Sequence, residues 1–189
     1  AAKNPGSWGN GLKVCFIDDA ADQIIGITTT SLAGVGATVG YGVTANLTNV
    51  TIPGLGSTST FTGYLKGIIT GVTTDATNGA SSIDVKILSR VSAAGTETRV
   101  NYAEGTSFAS YLTTSSLRFV NDSGVTVGSA VTPASVTDWY ESQTLGLTNA
   151  TIFWRSLAPK PISNQYTLER QGYGDGLHVV VVDDLGSIT

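Results

Sequence analysis

Gly9-Asn-Gly-Leu-Lys-Val-Cys-Phe-Ile-Asp-Asp19 and Gly174-Asp-Gly-Leu-His-Val-Val-Val-Val-Asp-Asp184 are one phrase written twice. The copies agree at both glycines, the leucine, the first valine and both closing aspartates. Each reads as a turn, an apolar and mostly β-branched run, and an acidic stop, which is the pattern of a buried strand. They lie near opposite ends of a 189-residue chain whose middle has a different texture. The expected organisation is a frame of two related strands, residues 1–20 and 172–189, around an inserted β-rich region, residues 21–171. The middle of that insertion, about 42–130, is a candidate barrel.

Only 13% of the residues are charged, about half the usual share. Ser, Thr, Asn and Gly must fill the solvent-facing positions, as in rigid β proteins of assemblies and in extracellular modules. The net charge is −4 and the ten Lys and Arg are scattered, so neither a nucleic-acid footprint nor a polyanion-binding surface is indicated. No run approaches a membrane span. Ala1 to Gly6 has no apolar core segment of a signal peptide. Met is absent throughout, and the chain reads as an internal piece of a longer one.

Between the framing strands the spacing predicts strands over 22–30, 47–52 and 60–74. Residues 34–45 are expected as a bent strand with Gly34, Gly36, Gly40 and Gly42. Gly63, Gly67 and Gly71 recur every four residues, but the Thr and β-branched content favours strand over helix. Residues 82–92 alternate, with Ile83, Val85 and Ile87 inward and Asp84 and Lys86 outward. A turn at Ala94-Gly95 makes a hairpin with 96–102. A short helical turn is expected within 103–112, and a second hairpin joins 116–121 to 125–131. Pro133 to Gln143 is the best helix candidate, capped by Ser135. Residues 150–158 read as a buried strand ended by Pro159-Lys160-Pro161, and 165–170 as a short exposed strand. Roughly nine to twelve strands with one or two short helices imply a mainly β fold, an antiparallel sandwich or barrel.

Chemistry-bearing residues are sparse. Gly34-Val-Gly-Ala-Thr-Val39 ends in Val where a dinucleotide loop needs Gly, and it opens no expected helix. His178, the only histidine, sits in the second framing strand where Lys13 sits in the first, and reads as a half-exposed strand residue rather than a triad member. Cys15, the only cysteine, reads as a buried thiol. Asp18, Asp19, Asp183 and Asp184 are the best ligand candidates. Parallel framing strands would gather all four at one edge, as a Ca²⁺ or Mg²⁺ site requires. Antiparallel strands would separate the two pairs, leaving them as solvated strand ends. Glu141 and Glu169 form no evident acid and base pair. Glycosylation sequons begin at Asn46, Asn49, Asn121 and Asn149. Trp8, Trp139, Tyr140, Phe153 and Trp154 serve either as a sugar-stacking platform or as core and interface anchors, and core is favoured.

Three stretches carry a family resemblance. Asn4-Pro-Gly-Ser-Trp-Gly-Asn-Gly-Leu-Lys-Val14 resembles the Asn-Pro-Gly-x-Trp-Gly-Asn-x-Leu-x-Val phrase of tail sheath proteins from contractile-tailed bacteriophages. Gln143 to Trp154 is similar to the form found in large myoviruses. Leu177 to Asp183 resembles the strand leading into the sheath proteins' later region. The resemblance implies a structural protein of the virion, not an enzyme, with no catalytic, cofactor or metal residues to carry over. Its partners would be other sheath subunits in six-membered rings and, through regions outside this chain, the tail tube. The sheath would assemble in the host cytoplasm and contract to drive the tube through the host envelope. The region between the framing strands would be an outward-facing, variable domain, monomeric alone, with no nucleic acid bound and no membrane inserted. The competing reading is a carbohydrate-binding or adhesive β-module on a virion or cell surface. It requires exposed aromatics and fails if Trp139 and Trp154 are buried.

Overall fold

A 3₁₀ turn over Ser7–Gly11 leads into β1 (Leu12–Asp18), β2 (Gln23–Thr28), helix α1 (Thr29–Val35), β3 (Gly42–Val50) and the long pair β4 (Phe61–Asp75) and β5 (Ala80–Ser92). Then follow β6 (Glu97–Arg99), helix α2 (Ala109–Leu112), β7 (Leu117–Val120), β8 (Thr126–Val131) and β9 (Ser135–Asp138). The remainder comprises β10 (Thr144–Gly146), β11 (Thr151–Phe153), helix α3 (Gln165–Glu169) and β12 (Leu177–Asp183). This computed structural model describes residues 7–51, 60–75, 77, 79–100, 109–113, 115–170 and 172–184. The expectations for Asn4 to Gly6, Pro53-Gly54 and residues 103–108 lie outside the described residues, as does the Trp8 side chain.

The chain is mainly β and every strand pairing is antiparallel. Eight strands form one sheet in the order β8-β7-β3-β4-β5-β2-β9, with β6 added to β5. It therefore draws β2 and β9 from outside the 42–130 stretch. Helix α1 touches β2, β5 and the distant β8, and α2 touches β3 and β9, so the sheet curls around both helices. Inside lie Ile25, Ile69, Ile83, Leu117 and Phe119, each at most 1% exposed, with Leu32 and Val35 of α1 and Leu112 of α2. Burying each such large side chain stabilises the fold by roughly 1.5–3 kcal/mol.

The glycines of β4 are where β5 closes on it. A Cβ at Gly63, which has φ of 156°, would meet the Val91 carbonyl oxygen at 2.0 Å. One at Gly67 would meet the Lys86 carbonyl oxygen at 2.8 Å, and one at Gly71 the Asp84 carboxylate at 2.6 Å. Register shifts fall at Lys66/Gly67 and Ile69/Gly71, so the four-residue spacing belongs to a bulged strand, as its composition predicts.

Several local expectations are corrected. Residues 29–35 are helical, where one expected strand ran to Thr30 and the next began at Gly34. Thr28 caps the helix by accepting from the Ser31 N–H, Leu32 and Val35 face the core, and Gly36 ends it with φ of 64°. Only from Gly42 does the chain run as strand. Pro133 to Gln143 is not a helix: Ser135–Asp138 pairs with β2, and a 3₁₀ turn covers Tyr140–Ser142. Alternation of Val136 into the core outweighs the capping signal. Residues 165–170 hold helix α3, capped by Asn164, rather than a strand. Residues 150–158 are a three-residue strand and a 3₁₀ turn, with only Trp154 buried. Lys86 does face away from the first core, but it is 7% exposed, because a second layer covers that face.

That layer is built by the two framing strands together with residues 139–163. β1 and β12 pair along their whole length, Leu12 with Asp183 and Asp18 with Leu177. The Asp184 N–H donates to the Gly11 carbonyl (2.8 Å), so the chain enters and leaves this ribbon at the same end. Its inner residues Cys15, Ile17, Val180 and Val182 pack with Ala21, Ile24, Trp139, Tyr140, Leu145, Ile152 and Trp154 in a second core. Cys15 is half-buried there. The ribbon is not buried on both faces as its composition predicts: Val14, Phe16, Leu177, Val179 and Val181 are 56–73% exposed.

Gln23 is fully buried, and neither its Nε2 nor its Oε1 has a partner among the described residues. It shares a strand face with Ile25 and Ile27. Gln23→Leu removes an orphaned amide without opening a cavity, and is expected to raise stability by about 1–2 kcal/mol in urea denaturation. A loss of stability would mean that the amide has a partner such as bound water.

Candidate functional site

The antiparallel ribbon decides the fate of the four aspartates. It puts Asp18 and Asp19 at one end and Asp183 and Asp184 at the other, so they cannot gather round one ion. Among the described residues no group of three or more His, Cys, Asp or Glu is placed to hold a metal. Asp18 is exposed, as a strand stop should be. Asp19 and Asp184, the last residues of the two phrases, are not solvated ends: each turns inward to lysine.

Asp19 belongs to a buried charge cluster with Asp22, Lys86 and Lys160, whose side chains are 3–10% exposed. Lys86 Nζ donates to Asp19 Oδ1 (2.5 Å) and Asp22 Oδ1 (3.2 Å). Lys160 Nζ donates to the Ala21 carbonyl (2.7 Å) and to Asp22 Oδ1, and lies 3.3 Å from Asp19 Oδ1. The second Asp22 oxygen accepts the Ile87 N–H (2.8 Å), standing in for a strand partner just before β2 begins. The second Asp19 oxygen accepts from Ser163 Oγ (3.4 Å), which itself accepts the Gly174 N–H (2.8 Å). Two cations and two anions thus join four segments: the loop after β1, β5, the connector 160–163 and the turn before β12. The cluster is neutral overall and each ionised group has an opposite charge within reach, the condition for burying charge at all.

The chemistry this arrangement offers is fastening. The cavity beside it, walled by Ile87, Leu88, Arg99, Val100 and Tyr173, has a volume of about 10 Å³. That holds one water molecule at most. An open groove of about 420 Å³ is lined by Thr28, Thr73, Asp75, Ser81, Ser82 and Ser135. Among the described residues Asp75 is its one ionisable lining group.

Asp184 makes the matching anchor at the other end of the ribbon. Lys13 Nζ lies 2.6 Å from its Oδ2, and the Thr148 N–H and Oγ1 both donate to the carboxylate. Lys13 also reaches the Gly146 carbonyl (3.2 Å), which ties β10 to the ribbon. The Lys13 and Thr148 hydrogen bonds pull the Asp184 carboxyl from 3.8 to about 2. Its contribution to stability is therefore complete above pH about 4 and lost as pH falls towards 2. Asp184→Asn is expected to lower the thermal midpoint at pH 7, and the gap to the parent should close between pH 4 and pH 2. A gap unchanged at pH 2 would contradict the ion pair. Burial pushes Asp84 the other way, upwards, against a hydrogen bond from Trp139. Asp84 should weaken the fold as pH rises through its folded value.

The remaining candidates have structural places. His178 is half-buried opposite Ile17, with Nε2 2.7 Å from the Pro159 carbonyl. Glu141 pairs with Arg155 (2.5 Å), and Glu169 accepts from Gln165 (3.1 Å). Gly34 and Gly36 end a capped helix, not a phosphate loop. Asn46, Asn49 and Asn149 are exposed, whereas the Asn121 side chain accepts from the Ser123 and Val125 N–H groups within its turn. Trp139, Tyr140 and Trp154 are 8%, 3% and 3% exposed, so they are core and form no sugar platform; of the four described aromatics of that group, Phe153 alone is exposed. The lysines of the buried cluster escaped sequence reasoning. Asp22 and Lys160 stand in segments read as strand start and stiff connector, and no local periodicity links them.

No family model, no curated protein and no solved structure matches this chain.

Proposed function

We propose that this chain is a structural domain of a contractile tail-sheath subunit, and that its framing ribbon and second core are the part shared with other sheath proteins. One observation carries this reading. The first of the three stretches that resemble sheath proteins lies more than a hundred residues before the other two, yet their described residues form one packed unit. Leu12 to Val14 pairs with Val181 to Asp183. Leu145, Ile152 and Trp154 pack beneath the ribbon, and Lys13 bonds the Gly146 carbonyl. The eight-stranded sheet hangs from this unit through the charge cluster, and is the variable, outward-facing part.

In this reading the work is mechanical. Rigid β packing and buried fastenings keep the domain intact while subunits move, and partners are other copies of the subunit and, through other regions, the tail tube. Antibodies raised against the purified chain are expected to decorate both extended and contracted tails along the sheath in electron micrographs of the virus that carries it. Decoration confined to heads or fibres, or absent from virions, would overturn the reading.

A further inference from the structure

On the ribbon's outer face Val14 stands opposite Val181 and Phe16 opposite Val179, with Leu177 beside them across from Asp18. Exposures are 64% and 60%, 73% and 56%, and 57%. Five such side chains present an apolar patch on the order of 500 Å², near the top of the range for a monomer's largest patch. No Lys or Arg interrupts it: Lys13, the ribbon's one Lys or Arg, faces the other way, towards Gly146 and Asp184. Among the described residues, β1 and β12 pair only with each other. Each therefore keeps one edge without a strand partner, with charges only near its ends, and a lone two-stranded ribbon is marginal in water.

We infer that this face is an intrachain interface, covered in the complete polypeptide by an apolar layer of that same polypeptide with Lys or Arg at its rim. The inference rests on the reading of the chain as part of a larger subunit. Area selects the occupant. Two copies meeting through this patch would bury about 1,000 Å², the bare minimum for a specific interface between separate molecules, before the loss of translational freedom is counted. A layer tied to the same chain avoids that loss, because its effective concentration is on the order of millimolar. Charge selects the rim: the face ends at the exposed Asp18, and the chain carries −4 overall.

The test compares Phe16→Ser combined with Val179→Ser in two settings. In the 189-residue chain the double substitution should leave the thermal midpoint within about 2 °C, since both positions are solvent-facing. It should cut the fluorescence of bound anilinonaphthalene sulfonate about threefold or more, and the parent should sediment as a monomer. In the complete polypeptide the parent should bind little dye, and the same substitutions should lower the midpoint and raise dye binding. A concentration-dependent dimer of the 189-residue chain that the substitutions dissociate would overturn the inference in favour of a second copy. Equal dye binding by the two parents would overturn it in favour of an open face. A complete polypeptide that hides the face but never forms tubes would sink the sheath reading and leave this one standing; tubes with a dye-accessible face would do the reverse.

Discussion

Asp22→Ala is expected to destabilise the chain by about 3–5 kcal/mol, because it strands buried lysines rather than merely deleting contacts. One Asp22 oxygen takes both Lys86 and Lys160, and the other takes the Ile87 N–H. Without it, two ammonium groups share Asp19 alone in a site with room for about one water. In a domain of this size the midpoint should fall by roughly 6–20 °C. Asp22→Asn retains an acceptor for Ile87 but removes the charge, so its cost should be smaller and arise mainly from the lysines. Adding Lys160→Ala to Asp22→Ala should recover part of the loss, a coupling that marks residues of one network. Simple additivity, or a loss below 1 kcal/mol, would mean that the cluster is hydrated and fastens nothing.

The second large effect is expected at Trp154. Its side chain is 3% exposed and fills the second core beneath the ribbon. Trp154→Ala should cost about 3–5 kcal/mol through lost transfer energy and the cavity left behind. The damage should be uneven. Amides of β1 and β12 should exchange with solvent much faster, whereas those of β3, β4 and β5, which rest on the first core, should keep most of their protection. Uniform acceleration throughout would contradict the presence of two cores with separate fastenings.

The repeated phrase carried a large part of the fold. Its two copies are the strands that pair end to end, and the 82–92 alternation and the hairpins at Ala94-Gly95 and Asp122 to Gly124 are where local pattern places them. What sequence did not disclose is set by long-range packing. A Thr-rich segment such as 29–31 has weak helix propensity, and it becomes helical because Thr28 caps it and Leu32 and Val35 reach the core. Ser135 offers a cap, yet pairing with β2 makes it a strand. Lys86 alternates like a solvent-facing residue and is one, until the layer from 139 to 163 covers it. The candidate site was half legible. Asp19 stood out as a paired carboxylate, but its lysines are 67 and 141 positions away, and no spacing rule spans that distance. The framing strands read as wholly buried because composition reports apolar content, and content alone does not say which face is already covered.

The two framing strands close on each other as an antiparallel ribbon in one register. Cys15, the only cysteine, faces Val180 directly across that ribbon, at a separation that a disulfide spans in an antiparallel pair. Val180→Cys, oxidised gently and measured by intact mass and non-reducing electrophoresis, should form an intramolecular disulfide nearly quantitatively. Val179→Cys and Val181→Cys, whose side chains point to the opposite face, should form little. Failure of Val180→Cys to cross-link, or equal cross-linking at all three positions, would contradict the ribbon and the frame built on it.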